Sequence, residues 1–252
     1  MLRFLGRAMR VMLLTAATSG SVWASEIDDP NLVQDFLQIC AERELSRPLV
    51  QELSWLGRLT DAALAAAYGR DYLRLNPYER RFLANFPGSA LGARAAACRA
   101  DTLSVVMCGI SRANQPIINP LGADDELDAA RHFIFAADLT MNLGQDRAQL
   151  LLAAHEGESK DYTASERMDL KNNASGLNWA NSVRGQPGRY ETLRLVRALR
   201  DRLRSGELTW NRQSGTRCQR ATEITDEMLP EIVEAYRREV EVSRRLMPHV
   251  CR

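Results

Sequence analysis

Two of the three histidines in this 252-residue chain, His132 and His155, lie between residues 128 and 180, and they keep company there with residues suited to acid–base or metal chemistry. Asp128 precedes His132 by four residues, so on a helix its carboxylate can hold one ring nitrogen and leave the other to work. His155 is followed directly by Glu156 at the expected end of a helix. There the dipole suits a protonated His and opposes a carboxylate, an arrangement that favours a protonated Glu able to act as a general acid. Further on, Asp169, Asn172, Asn173 and Gly176 fall at i, i+3, i+4 and i+7, one stripe of a helix. Asn is a weak helix former and buried amides need partners, so this stripe reads either as a substrate-binding face or as a polar clamp between helices. Gly176 lets another backbone, or a ligand, come close.

Imidazole with carboxylate is the ligand set of zinc and related divalent ions, for which His132, His155 and Asp169 are the candidates. It is equally an acid–base set with no metal. His155-Glu156 continues as Gly-Glu-Ser-Lys, so the HExxH spacing of a zincin helix is excluded. Each group also has a plainer reading: His132 satisfied by Asp128 in a helix interface, Glu156 in a solvated last turn, and Asn173 bonding loop carbonyls.

The elements that must position these residues are helical. Asn76-Pro77-Tyr78-Glu79 is a start signal, with a capping Asn, Pro in the first turn and Glu three residues on. It opens a helix that Pro87-Gly88 ends, and Ser89 is expected to cap an Ala-rich helix to Ile110. Residues 111–125 read as a loop. Helices follow over Glu126–Leu143 and Asp146–Glu156, and a capping box at Thr163–Glu166 starts another that runs through Ala180. A basic helix spans Arg189–Ser205, and a last one runs from Thr225-Asp226 to Arg245. Upstream, apolar residues at helical spacing from Asn31 to Tyr72 predict three helices, the third opened by Thr60-Asp61. The expectation is a compact, all-α, multi-helix fold with one small hairpin near 208–218. Its divisions are a leader (1–24), an N-terminal helical segment (25–75), a core carrying the site (76–184) and a C-terminal part (185–252).

The leader has Arg3, Arg7 and Arg10, an apolar run from Val11, and small residues placed for cleavage in Val22-Trp23-Ala24, the pattern of a signal peptide cut after Ala24. Only 14 residues run from Val11 to Ala24, too few for a membrane span, and no later segment is apolar enough for one. The location expected is therefore periplasmic or secreted. Cleavage takes three of the 33 basic residues and leaves 30 against 32 acids, a balance that argues against a nucleic-acid partner. The basic helix, with Arg189, Arg194, Arg197, Arg200, Arg202 and Arg204, either faces an acidic partner or is a solvated face balanced by nearby acids. Export makes disulfides the default for Cys40, Cys98, Cys108, Cys218 and Cys251: two bridges and one free thiol. On one helix Cys98 and Cys108 would lie about 15 Å apart, too far to bond. Cys218 with Cys251 is the expected pair.

The runs themselves resemble a known domain. An Asn-Pro-x-Glu helix followed by Phe-Pro, then D-A-x-R-H-F, G-x-x-x-A, A-H-E and M-D-L-x-N-N-x-x-G, is similar to the DUF6973-type domain, a domain of unknown function. Like runs also occur at the C-terminal ends of bacterial Rhs and other polymorphic toxin-like proteins. The matching positions are Asp128, Arg131, His132, Gly144, Ala148, His155, Glu156, Met168, Asp169, Asn172, Asn173 and Gly176. Phe135 and Leu177 depart from the Trp and the basic residue common at those places. The resemblance implies no established reaction.

Three functions compete. In the first, the chain is an exported hydrolase acting on peptidoglycan or another envelope component. Glu156, His155, His132 and Asp169 do the chemistry, with a divalent metal as the cofactor if there is one, and Asn172, Asn173, Arg131 and Gly176 hold the substrate. The second is a non-catalytic envelope or interaction module whose polar cluster is structural. The third is a lysozyme-like lytic enzyme that uses Glu156.

Overall fold

The computed structural model describes residues 55–110, 125–156, 164–184, 192–210, 218, 221, 223–246 and 251. In chain order its helices are α1 (Trp55–Tyr68), α2 (Arg70–Leu73), α3 (Pro77–Asn85), α4 (Ser89–Met107), α5 (Glu126–Leu143), α6 (Gln145–Glu156), α7 (Ala164–Val183), α8 (Thr192–Ser205) and α9 (Leu229–Leu246). No strand occurs among the described residues, and the fold is all-α. The leader, the helices expected before residue 55, the expected capping role of Thr163 and residues 211–217 of the expected hairpin lie outside them.

The centre of the fold is α5. Leu127, Ala129, Ala130, Phe133, Ile134, Ala136, Ala137 and Leu139 are all buried, on every side of the helix. Such a helix must be covered all round, and α4 and α7 do most of the covering, with α6 and α8 completing it. The alanines let the neighbouring backbones come near. At Gly176 on α7 the approach is closest: a Cβ there would lie 2.3 Å from the Phe133 carbonyl oxygen and 2.9 Å from the Ala136 Cβ. Gly176 therefore serves a helix crossing, and the neighbour it lets come close is the α5 backbone.

Local signals set most boundaries. Asn76 caps α3 by accepting from the Tyr78 and Glu79 backbone N–H groups, while Glu79 accepts from the Asn76 N–H, completing the expected capping box. Two expected starts are corrected. Thr60-Asp61 lies inside α1, where Asp61 is engaged by the Tyr72 hydroxyl and by Arg80, each at 2.8 Å. Ser89 is the first residue of α4 rather than its cap, because the first N–H groups bond back to Phe86 and Pro87 carbonyls. That helix also stops at Met107, short of Ile110. Gly109 takes φ +72°, and the N–H groups of Gly109 and Ile110 turn back to Val106 and Val105, a Schellman ending.

The disulfides are Cys98–Cys251 and Cys108–Cys218, so the expected Cys218–Cys251 pairing is overturned. The reason is tertiary. Helix α9 packs along α4, where Ser243 meets Thr102 at 3.0 Å, and this carries the tail to Cys98. Near the other end of α4, the Cys218 N–H bonds the Glu126 carboxylate beside Cys108. Closing loops of 153 and 110 residues, each bridge removes about 4–5 kcal/mol of unfolded-chain freedom in the chain-entropy account. Cys40 lies outside the described residues.

Helix α8 buries Leu195, Val196, Leu199 and Leu203. Its arginines are largely spent within the chain: Arg200 on Asp201 and Asp226, Arg197 on Asp226, and Arg202 on Glu207. This matches the balanced-face reading of the basic helix. Among the described residues no helix is long and apolar enough to cross a membrane.

Candidate functional site

His132 sits on α5 with its ring buried and an oxygen facing each nitrogen. Nε2 lies 3.4 Å from Asp128 Oδ1, one turn back on the same helix, and 3.2 Å from Asp169 Oδ1 on α7. Nδ1 lies 3.2 Å from Asn173 Oδ1, also on α7, and 4.0 Å from Glu156 Oε1 at the end of α6. The Asn173 amide closes the string by donating to Glu156 Oε1 at 3.4 Å. The α5–α7 crossing at Gly176 brings the stripe of α7 against His132, and the short α6 delivers Glu156 to the same place.

Asp128, His132, Glu156, Asp169 and Asn173 are all buried. Three carboxylates around one imidazole carry more negative charge than the ring can neutralise. Part of the excess is offset by Arg131, which pairs with Asp128. Burial pushes the Glu156 carboxyl above its usual range, and the nearby histidines and the Asn173 amide pull it back less strongly. This cost of burial acts on Glu156 whichever way the helix dipole points.

His155 behaves differently. Its residue is exposed, and Nδ1 meets Glu79 Oε1 on α3 at 2.7 Å. That hydrogen bond is the main influence raising its pKa; partial burial opposes it, and the charges of Glu156, Glu79 and Asp169 add to the rise. The two rings stand 6.3 Å apart, and Phe135 meets His155 edge-on at 6.5 Å. The one set of ligand-type atoms close enough to share an ion, among the described residues, is Asp128, His132 and Asp169, within 4.8 Å of one another. The structure thus puts Asp128 where the sequence reading put His155 in the metal set.

Asn172 and Asn173 divide the two readings of their stripe. Asn173 joins the cluster. Asn172 points elsewhere: its Nδ2 donates to the Thr209 carbonyl at 2.8 Å, and its Oδ1 accepts from the Thr209 N–H at 2.9 Å. It is fully buried and acts as a clamp, with both ends of its amide engaged by Thr209. Arg131, half-buried, touches the site through Asp128.

Glu79 is the residue that sequence reading missed. The sequence pattern marks it as a capping residue only, and it is one: Oε2 accepts from the Asn76 N–H at 2.8 Å while Oε1 holds His155. Asn76 adds to the join by donating from Nδ2 to the Ala154 and His155 carbonyls. A capping box satisfies its own helix end, so nothing in the local pattern signals a long-range partner for the same side chain.

The fold and site thus define a disulfide-linked all-α domain that buries one imidazole among carboxylates from three helices. Residues 98–206 match the family model described as a domain of unknown function, DUF6973, and over those residues the chain carries a DUF6973-type domain. The match contains Asp128, His132, Glu156, Asp169 and Asn173, while Asn76 and Glu79 lie before it. Comparison with curated proteins and with solved structures returns no match.

Proposed function

We propose that this chain is a hydrolase acting outside the cytoplasm on cell-wall peptidoglycan, with Glu156 as its general acid and His132 as the oriented imidazole beside it. The observation that carries this reading is the Glu156–Asn173–His132 string, a buried carboxyl linked through one amide to an imidazole whose far nitrogen faces two more carboxylates. Burial keeps Glu156 protonated closer to neutral pH than an ordinary carboxyl, which suits a general acid. His132 is held on both sides, which fixes its ring beside Glu156. His155, fixed by Glu79 at the exposed edge, supplies a second oriented imidazole. The leader pattern of Arg3, Arg7, Arg10 and Val22-Trp23-Ala24 and the two disulfides support a periplasmic or secreted location, where peptidoglycan is the accessible polymer.

The test is release of soluble fragments from purified peptidoglycan by wild type, Glu156→Gln and His132→Gln. Losses of about 100-fold or more in rate, with unchanged circular dichroism, are expected for both variants. A Glu156→Gln protein that keeps more than about a tenth of the activity removes Glu156 from the chemistry. One observation favours a second reading, a non-catalytic module: Asn172, beside the cluster, is engaged at both ends of its amide as a clamp. A folded wild type that releases nothing, together with a Glu156→Gln protein that is less stable, would decide for that module.

A further inference from the structure

We infer that Asp128, His132 and Asp169 bind a divalent transition-metal ion of the zinc class. Three ligand atoms converge here from two helices, with His132 Nε2 3.4 Å from Asp128 Oδ1 and 3.2 Å from Asp169 Oδ1. A tetrahedral ion with bonds of about 2.0–2.1 Å separates its ligand atoms by about 3.3–3.4 Å, so both separations suit the edges of such a shell. They suit a proton less well. A proton on Nε2 would have to be shared between the two oxygens in a three-centre bond, and both separations exceed the ~2.7–2.9 Å of a direct charge-assisted N–H···O bond.

The far side of the ring supports the same conclusion independently. Asn173 turns its Nδ2 toward Glu156, which leaves its Oδ1 to accept from His132 Nδ1. With Nδ1 as the donor to Asn173, the neutral ring turns its Nε2 lone pair toward two carboxylate oxygens, a repulsive meeting that a cation among them relieves. An oriented imidazole whose other nitrogen is hydrogen-bonded is the usual support of a metal-ligating His. One imidazole and two carboxylates suit zinc and its neighbours, whereas calcium and magnesium prefer larger all-oxygen shells. Three protein ligands leave a fourth position for water, the pattern of a catalytic rather than a structural ion. Arg131 meets the same Asp128 oxygen and so competes with the ion. Being half-exposed, it can release that oxygen by turning to solvent.

The experiment is calorimetric titration of the tag-free, disulfide-bonded, chelator-treated protein with zinc chloride, and separately with calcium chloride. One Zn2+ per chain at about 1 µM or tighter is expected, with Ca2+ about 100-fold weaker or absent. Asp169→Asn and Asp128→Asn each weaken Zn2+ by about tenfold or more. His155→Ala stays within about threefold of wild type, and Arg131→Ala binds at least as tightly. Because a carboxylate variant can fail to fold, a zinc-dependent rise in the thermal midpoint of the wild type is measured as well. No binding and no rise overturns the inference. So does binding that survives Asp169→Asn but is lost in His155→Ala. Zinc binding without peptidoglycan hydrolysis sinks the hydrolase reading and leaves the metal site standing. Hydrolysis that survives chelation, in a protein that takes no Zn2+, does the reverse.

Discussion

Replacing Asn172 with Ala tests whether the polar stripe of α7 is divided as the contacts divide it. The side chain makes two hydrogen bonds to one residue, donating to the Thr209 carbonyl at 2.8 Å and accepting from its N–H at 2.9 Å. Asn172 is fully buried, so truncation leaves both backbone groups without that partner and opens space that water enters poorly. An orphaned buried polar group costs about 1–3 kcal/mol, and Thr209 is itself only part-buried, so some of the loss is recovered by solvent. A loss of about 2–4 kcal/mol follows, or roughly 4–16 °C in the thermal midpoint for a domain of this size. Asn172→Asp keeps the acceptor but sets a carboxylate oxygen against the Thr209 carbonyl. It should therefore be at least as damaging at pH 7 and should recover as the acid protonates and becomes a donor. Urea unfolding followed by tryptophan fluorescence reads all three proteins. A loss below about 1 kcal/mol for Asn172→Ala, accompanied by complete loss of hydrolysis, would refute the clamp and return Asn172 to the substrate.

Two other perturbations probe the frame that holds the site. Gly176→Ala places a Cβ 2.3 Å from the Phe133 carbonyl oxygen, so α5 and α7 must part by roughly 1 Å. The helix-propensity gain of about 1 kcal/mol is smaller than the overpacking cost, and a net loss of about 2 kcal/mol or more is expected in urea unfolding; a stabilised variant would show that the crossing is looser than this. Asp138 is buried on α5, and burial raises its pKa from 3.8 to about 6, against the opposing pull of Arg99 at 3.3 Å. Because the folded-state pKa is the higher one, the fold favours the protonated acid, and stability falls as pH rises from about 4 to 6. Asp138→Asn escapes this loss, so its stability relative to wild type should improve by up to about 3 kcal/mol between pH 4 and pH 7. A difference between the two proteins that stays constant across that range contradicts the assignment.

What could be read in the linear chain was whatever is decided within a few residues. The capping box at Asn76–Glu79, the limits of Glu126–Leu143 with Gly144 after it, and the single-stripe placement of Asp169, Asn172, Asn173 and Gly176 all follow from local hydrogen bonds and helical period. They were legible because those forces act over one or two turns. Proximity of His132, Glu156 and Asp169 was also within reach, since short connections between consecutive helices leave few ways to separate them. Partner choice was not. Whether Asn172 or Asn173 enters the site depends on where Thr209 lies, 37 residues further on. Whether His155 joins a metal set depends on Glu79, 76 residues back, which holds it away. Cys98 reaches Cys251 because α9 lies along α4.

Helices, their faces and the set of residues with chemistry to offer can be read from the linear chain, because each of these is a property of neighbours on one helix. Which side chains became site, clamp or crossing depended on how the helices pack. Gly176 shows the physical reason most simply. A glycine on a helix face permits close approach by anything, and the packing of α7 on α5 made that approach a backbone carbonyl rather than a substrate.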